Sequence, residues 1–183
     1  MPKNHRHVDT EQKKQAIVAV ATRLFIKRGF QATSMSLIAD ESQVAANTIY
    51  WYFPNKDALL IAVLNGLLTK GYERWQTLES DQSLVDQVMM AIEDFESCGD
   101  LMQVVHARVN ESAELARWHQ QFHHVLELGI EEKLVRYGVA EDKLSPASKL
   151  LVYVIEGLIA HPHKPSEREM MLRFYLDELV SEQ

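Results

Sequence analysis

Apolar residues recur along this chain at intervals of three and four, the spacing that gathers them on one face of an α-helix. Between residues 11 and 28 the stripe is Ile17, Val20, Ala21, Leu24 and Phe25. Lys27 and Arg28 suit the negative pole at its end, and Gly29 suits a left-handed position just beyond. Phe30 then falls where it can touch Phe25, while Lys3 to His7 reads as an arm ahead of the helix. Thr33 is expected to cap a second, short helix that turns Met35, Ile38 and Ala39 inward. A tight turn leads to a third short helix ending near Phe53. From Asn55, its expected cap, a long helix carries Leu59, Leu60, Val63, Leu64, Leu67 and Leu68 through about Tyr72 or Trp75.

The same period continues to the end of the chain. A polar break at Glu79 to Ser83 precedes a helix from Leu84 to Phe95, stopped at Gly99-Asp100. Leu101 to Val109 predicts a short helix, and about Ser112 to Arg136 a long one that Gly138 ends. Ser145-Pro146 reads as an N-cap with proline in the first turn of the next helix, closed by His161-Pro162. Ser166-Glu167-Arg168-Glu169 reads as a capping box opening the last helix. No strand-like alternation, internal repeat or low-complexity tract is visible. The expected class is all-α.

Within this pattern the segment from Val44 to Phe53 stands apart. It is nearly free of charge and crowded with hydroxyls, an amide and aromatics. A short helix of that surface, set behind a tight turn, has the layout of a helix-turn-helix reader of duplex DNA. The residues Thr33-Ser34-Met35-x-x-Ile38-Ala39, then Val44, then Thr48-Ile49-Tyr50-x-Tyr52-Phe53-x-x-Lys56-x-x-Leu59-Leu60 resemble the DNA-binding domain of TetR/AcrR-type transcriptional regulators. The resemblance covers roughly the first third of the chain, and the remainder matches the family in length and helical texture only.

That resemblance implies a dimeric repressor: a three-helix DNA-binding head over residues 1–54 and a larger helical effector-binding and dimerisation domain over 55–183. It implies that Thr33 and Ser34 offer hydroxyl and backbone N–H groups to phosphate, and that Ala46, Asn47 and Thr48 lead the reading helix. Asn47 is the expected base reader, since its amide can pair with an adenine edge. Tyr50 and Tyr52 are expected on phosphate, with Lys56 adding a point charge. Two residues depart from the family pattern: Gln43 where the turn usually carries glycine, and Ala45 in place of a serine cap.

Charge sharpens this division. The net charge of −7 is unusual for a DNA binder, but residues 1–56 carry eight Lys/Arg against four acids and the rest eleven against twenty-two. A basic head on an acidic body directs one end of the molecule toward phosphate. The single cysteine, Cys98, allows no internal disulfide, no apolar run approaches a membrane span, and the N-terminus has no signal-peptide texture. The expected compartment is the cytoplasm, with no membrane partner.

In the body, the run Leu150 to Ala160 is apolar nearly all round, and a helix buried on every side needs partners on every side. With the last helix it predicts a four-helix homodimer interface using Leu151, Ile155, Gly157, Leu158 and Phe174. Trp75, Phe95, Met102, Gln103, Arg108, Trp118, Phe122 and His123 are candidates to line a pocket for a small organic effector. Arg108 leans the expectation toward an anionic group, unless Glu111 answers it. His119 and His123 share a helix face at metal-ligand spacing, and Glu111 or His106 could complete a site. One helix supplies only two ligands, so the expectation is no metal and no cofactor. No catalytic signature is present, and the acids around Cys98 disfavour a thiolate. The reading is a ligand-released regulator on a palindromic operator. A DNA-bound scaffold that recruits a protein and a helical enzyme are the rivals.

Overall fold

The computed structural model describes residues 3–77, 82–161 and 163–180. Nine α-helices and no strand make up the fold among them. Glu79 to Asp81 of the expected polar break at Glu79 to Ser83, and Pro162, lie outside the described residues. The chain divides into two compact units, one of Met1–Lys70 with Cys98–Ala116, the other of Gly71–Ser97 with Arg117–Gln183. This grouping by compactness differs from the functional division drawn at residue 54.

The first unit holds α1 (Lys3–Arg28), α2 (Met35–Glu41), α3 (Ala46–Tyr52), most of α4 (Lys56–Gln76) and α6 (Leu101–Arg108). Lys3 to His7, expected as an arm, continues α1 as helix. The end of α1 forms as anticipated: Gly29 adopts φ 82 and its N–H donates to Phe25 O at 2.9 Å. The Phe25 and Phe30 rings meet edge to face at 5.1 Å. Ile17, Ala21, Leu24, Phe25, Ile38, Ile49 and Leu59 form the buried centre of this unit.

Thr33 does not cap α2. It is fully buried, and its hydroxyl donates to the Gly29 carbonyl at 2.9 Å. The cap is Ser34, in extended conformation, whose Oγ accepts from Leu37 N at 3.1 Å. Two hydroxyls stand side by side in the sequence, and burial of the first leaves the second to satisfy the helix. The turn after α2 places Gln43 at φ 56, a left-handed conformation that costs an L-residue about 1–2 kcal/mol. Ala45 precedes α3 with no side-chain cap, whereas Asn55 Oδ1 accepts from Ala58 N at 2.7 Å at the start of α4.

The second unit is built on α5 (Leu84–Ser97), most of α7 (Ala113–Tyr137), α8 (Glu141–Ala160) and α9 (Pro165–Val180). Val85, Val88 and Ile92 of α5 pack with Ile130 and Leu134 of α7, Leu151 and Ile155 of α8, and Leu172 and Leu176 of α9. The Tyr175 hydroxyl donates to Ala147 O at 2.7 Å, joining α9 to α8, and burial pushes that phenol up to about 12. Arg168 pairs with Glu96 and ties α9 to α5, which holds the Glu96 carboxyl below its ordinary range.

Two helix starts differ from expectation. α8 begins at Glu141, with Glu141 and Asp142 in its first turn near the positive pole, so Pro146 lies inside the helix. Gly138 (φ 93) turns the chain early enough, and Val139 anchors it by burial, for the helix to start ahead of Ser145-Pro146. In α9 the capping box is displaced by two residues. Pro165 takes the first helical position, and Glu167 Oε2 accepts from Lys164 N at 3.0 Å.

The strain at Gln43 yields a prediction. Gln43→Gly should raise the unfolding free energy by about 0.5–1 kcal/mol, the relief of strain less the added freedom of the unfolded chain. Urea denaturation followed by helical circular dichroism checks it, and a midpoint that fell would contradict the assigned turn geometry.

Candidate nucleic-acid interface and the helical body

α3 divides cleanly into two faces. Ile49 is fully buried and Phe53, just past its end, is 3% exposed, so both belong to the core. Ala46, Asn47, Tyr50 and Trp51 are exposed, while Thr48 and Tyr52 are half-buried. Among the expected contacts, Ser34, Ala46, Asn47 and Tyr50 are therefore open to a large ligand, and Thr33 is not. A side chain at 0% exposure whose hydroxyl is spent on the Gly29 carbonyl cannot reach a phosphate without unfolding its surroundings.

Trp51 was missed by the sequence reading. It is 72% exposed, lies four residues after Asn47 on the same side of α3, and its ring meets Tyr52 edge to face at 4.7 Å. Helical spacing from Asn47 could have found it; the family pattern leaves that position unspecified. Lys56 is more constrained than a free point charge. Its Nζ lies 4.1 Å from the centre of the Phe30 ring, and burial, with Arg108 nearby, lowers its pKa. Ring and stem hold the ammonium at the head of α4.

Arg108 was a candidate for an anionic effector, and the structure engages it elsewhere. Its Nε donates to Asp57 Oδ1 at 3.1 Å and its Nη2 to Oδ2 at 3.0 Å, a two-pronged pair joining α6 to the first turn of α4. Glu111 stands farther off, at 3.6 Å from Nη1. Asp57, which sequence reasoning did not consider, is the acceptor that the guanidinium required. The lean toward an anionic effector thus loses its basis.

Elsewhere in the head, Arg23 pairs with Glu41 at 2.8 Å and joins α1 to α2, holding the exposed Glu41 carboxyl below its usual range. The composite is a rigid three-helix head with an outward face of small, amide and aromatic groups.

Comparison with known proteins agrees with that head. Residues 17–63 match the model of bacterial regulatory proteins of the tetR family. Over that stretch the chain is similar to regulators of that family. Over 192 aligned residues it is 24% identical to the HTH-type transcriptional regulator YuxN of Bacillus subtilis, covering 93% of this chain and 64% of that protein. It is 35% identical over 63 residues to the HTH-type regulator QacR of Staphylococcus aureus, covering 34% of each chain. It thus spans just under two thirds of YuxN and about a third of QacR. Among solved structures, Salmonella enterica GusR superposes with a TM-score of 0.73 at 18% identity, over 93% of this chain and 96% of that one. A transcriptional regulator of Saccharomonospora viridis, solved in complex with choline, gives 0.70 at 15% identity, over 94% and 97%. These structural likenesses establish the fold. Both YuxN and QacR are transcriptional regulators.

The expected pocket residues fall in both units: Met102, Gln103 and Arg108 in the first, Trp75, Phe95, Trp118, Phe122 and His123 in the second. Within the second unit four of them converge. Trp118 and Phe122 stack nearly parallel at 5.4 Å, Phe95 meets Phe122 edge-on at 6.0 Å, and Phe122 meets His123 at 5.8 Å. Trp75 is apart from that group, seated on α7 where a Cβ at Gly129 would come within 3.1 Å of its ring.

The expected dimer residues separate into two sets. Leu151, Ile155 and Leu158 are at most 4% exposed and belong to the unit's own core, so they are not surface. Gly157 and Phe174 remain, the latter 70% exposed, and beside them Leu150, Tyr153 and Met170 stand out into solvent. The outward stripe of α8 is thus Leu150, Tyr153 and Gly157, the complement of the inward one. No helix among the described residues is long and apolar enough to cross a membrane.

The placement of Thr33 can be tested directly. Thr33→Val removes the donor to Gly29 O, and should lower stability by about 1 kcal/mol. Affinity of the folded protein for its DNA should stay within about twofold of wild type, under 0.5 kcal/mol by RT ln K. A large loss of affinity in a fully folded variant would return Thr33 to the DNA surface.

Proposed function

We propose that the chain is a DNA-binding transcriptional repressor that reads a palindromic operator as a homodimer and releases it when a small organic molecule enters its body. The observation that carries this reading is the outward face of α3, with Asn47, Tyr50 and Trp51 exposed and uncharged on a head whose residues 1–56 are net basic. Asn47 is the base reader in this reading. Ser34, Thr48, Tyr50, Tyr52 and Lys56 position the head on phosphate, Ala46 meets a thymine methyl, and Trp51 extends the contact surface. Its place is the cytoplasm, with its operator.

The homodimer rests on the apolar stripe left uncovered by the chain's own core. Leu150, Tyr153, Met170 and Phe174 are all more than half exposed. A second copy presents the same stripe, and a twofold arrangement buries both at once. Two heads can read a palindrome only when held about 34–36 Å apart, or a multiple of that. α4, continuous from Lys56 to Gln76, is the covalent path from head to body. An effector that favours another head separation weakens DNA binding, and by linkage DNA weakens effector binding equally. The Trp118, Phe122 and Phe95 cluster supports an effector with an apolar or aromatic-compatible surface. The choline-bound relative is a precedent for a small organic ligand on this fold.

Selection from genomic fragments should return a palindrome, bound with an affinity that falls steeply with salt as counterions are released. Asn47→Ala should relax sequence preference by about 1–3 kcal/mol at one position of each half-site, whereas Lys56→Ala should weaken all sequences alike. Adding pooled organic metabolites to that complex should release DNA and change Trp118 fluorescence. Fragments without symmetry, or binding indifferent to salt, would sink the reading.

The dimer has its own test. Tyr153→Glu combined with Phe174→Glu should give a folded monomer in sedimentation, since both side chains are exposed. Leu151→Glu should instead unfold the body, because it buries a charge. A wild type monomeric at micromolar concentration would remove the dimer.

A further inference from the structure

The expectation of no metal rested on a missing third ligand, and the fold supplies one. His119 and His123 lie one turn apart on α7, their rings 4.2 Å apart and tilted by 47°. Glu156 of α8 comes against them: its Oε1 is 2.9 Å from His123 Nε2. His119, His123 and Glu156 each turn one donor atom to a common point, all within 4.8 Å of one another. His119 Nε2, His123 Nε2 and Glu156 Oε1 are each shielded from solvent.

We propose that His119, His123 and Glu156 form a binding site for a divalent transition metal of the zinc class. Two imidazole nitrogens with one carboxylate oxygen are the donors that such ions prefer over calcium or magnesium, which favour all-oxygen sites. Zinc sits about 2.0–2.2 Å from such donors, which asks tetrahedral ligands to stand roughly 3.4 Å apart. The present spread contracts to that by small rotations of three side chains on two rigid helices. The Phe122 ring meets the His123 ring edge-on at 5.8 Å, and apolar groups beside a metal ligand strengthen the attraction of ion for ligand.

The site goes beyond the regulatory reading and does not depend on it, since it is tested without DNA. Tag-free protein stripped with a chelator is titrated with zinc by calorimetry, and with cobalt followed by its visible spectrum. The expected result is one tight equivalent per chain, a cobalt spectrum of a four- or five-coordinate nitrogen and oxygen site without thiolate charge transfer, and a zinc-dependent rise in the thermal midpoint. His123→Ala and His119→Ala should each weaken binding by at least about 100-fold, more than loss of an outer partner costs. Glu156→Gln keeps the side chain's shape and the fold, as circular dichroism will register, and should weaken zinc comparably. It therefore decides the matter if the histidine variants fail to fold. Absence of a tight equivalent, undiminished binding in Glu156→Gln, or a thiolate band tracing the metal to Cys98 would each overturn the proposal.

Discussion

The burial of Ile49 and Phe53 against the rest of the head is the interaction on which the functional surface depends. α3 is seven residues long and opens on Ala45 without a side-chain cap. An isolated helix of that length is unstable in water, because nucleation consumes more order than so few hydrogen bonds return. What holds it is tertiary. Ile49 and Phe53 lock one face into the core that Phe25, Ile38 and Leu59 share, and the remaining residues are carried outward by helical geometry alone. Asn47, Tyr50 and Trp51 are exposed because Ile49 is not. The strained turn at Gln43 is tolerated for the same reason, since burial on both sides outweighs a penalty of about 1–2 kcal/mol.

The features that were legible in the sequence are those fixed by neighbours in the chain. The Gly29 stop, the Phe25–Phe30 contact and the Asn55 cap all depend on residues a few positions apart, and each is where local chemistry places it. The failures came where two adjacent residues offered the same chemistry. Thr33 and Ser34 can both cap a helix, and only the depth of the α1–α2 junction decides that the first is buried. Ser166-Glu167-Arg168-Glu169 similarly had the letters of a capping box, but Pro165 opens the helix two residues earlier and Glu167 reaches Lys164.

Pairings between distant elements were not legible at all. Periodicity gave Arg108 a need for an acceptor without naming one, and Asp57, fifty-one residues away, is found on it. In α8, an apolar run on nearly every side contains no sign of which stripe meets the chain's own core. Folding resolves this by area: Leu151, Ile155 and Leu158 turn toward α5 and α9, and Leu150 and Tyr153 are left exposed. A uniformly apolar helix thus carries two stripes at once, and three of the residues expected at an interface, Leu151, Ile155 and Leu158, lie on the inner one.

The histidines of α7 show the same limit from the opposite direction. Spacing put His119 and His123 on one face, but a metal site is a property of at least two elements, and Glu156 has no sequence relation to either. Its carboxylate could equally have faced solvent, as most glutamates on an amphipathic helix do. Instead α8 is oriented by its buried Leu151 and Ile155, and Glu156, one residue past Ile155, is swung to the side of α7. The hydrophobic choice of which stripe to bury therefore sets the polar chemistry beside it, just as burial of Ile49 sets the face of α3 in the head. In both units one buried isoleucine fixes where its functional neighbour must point.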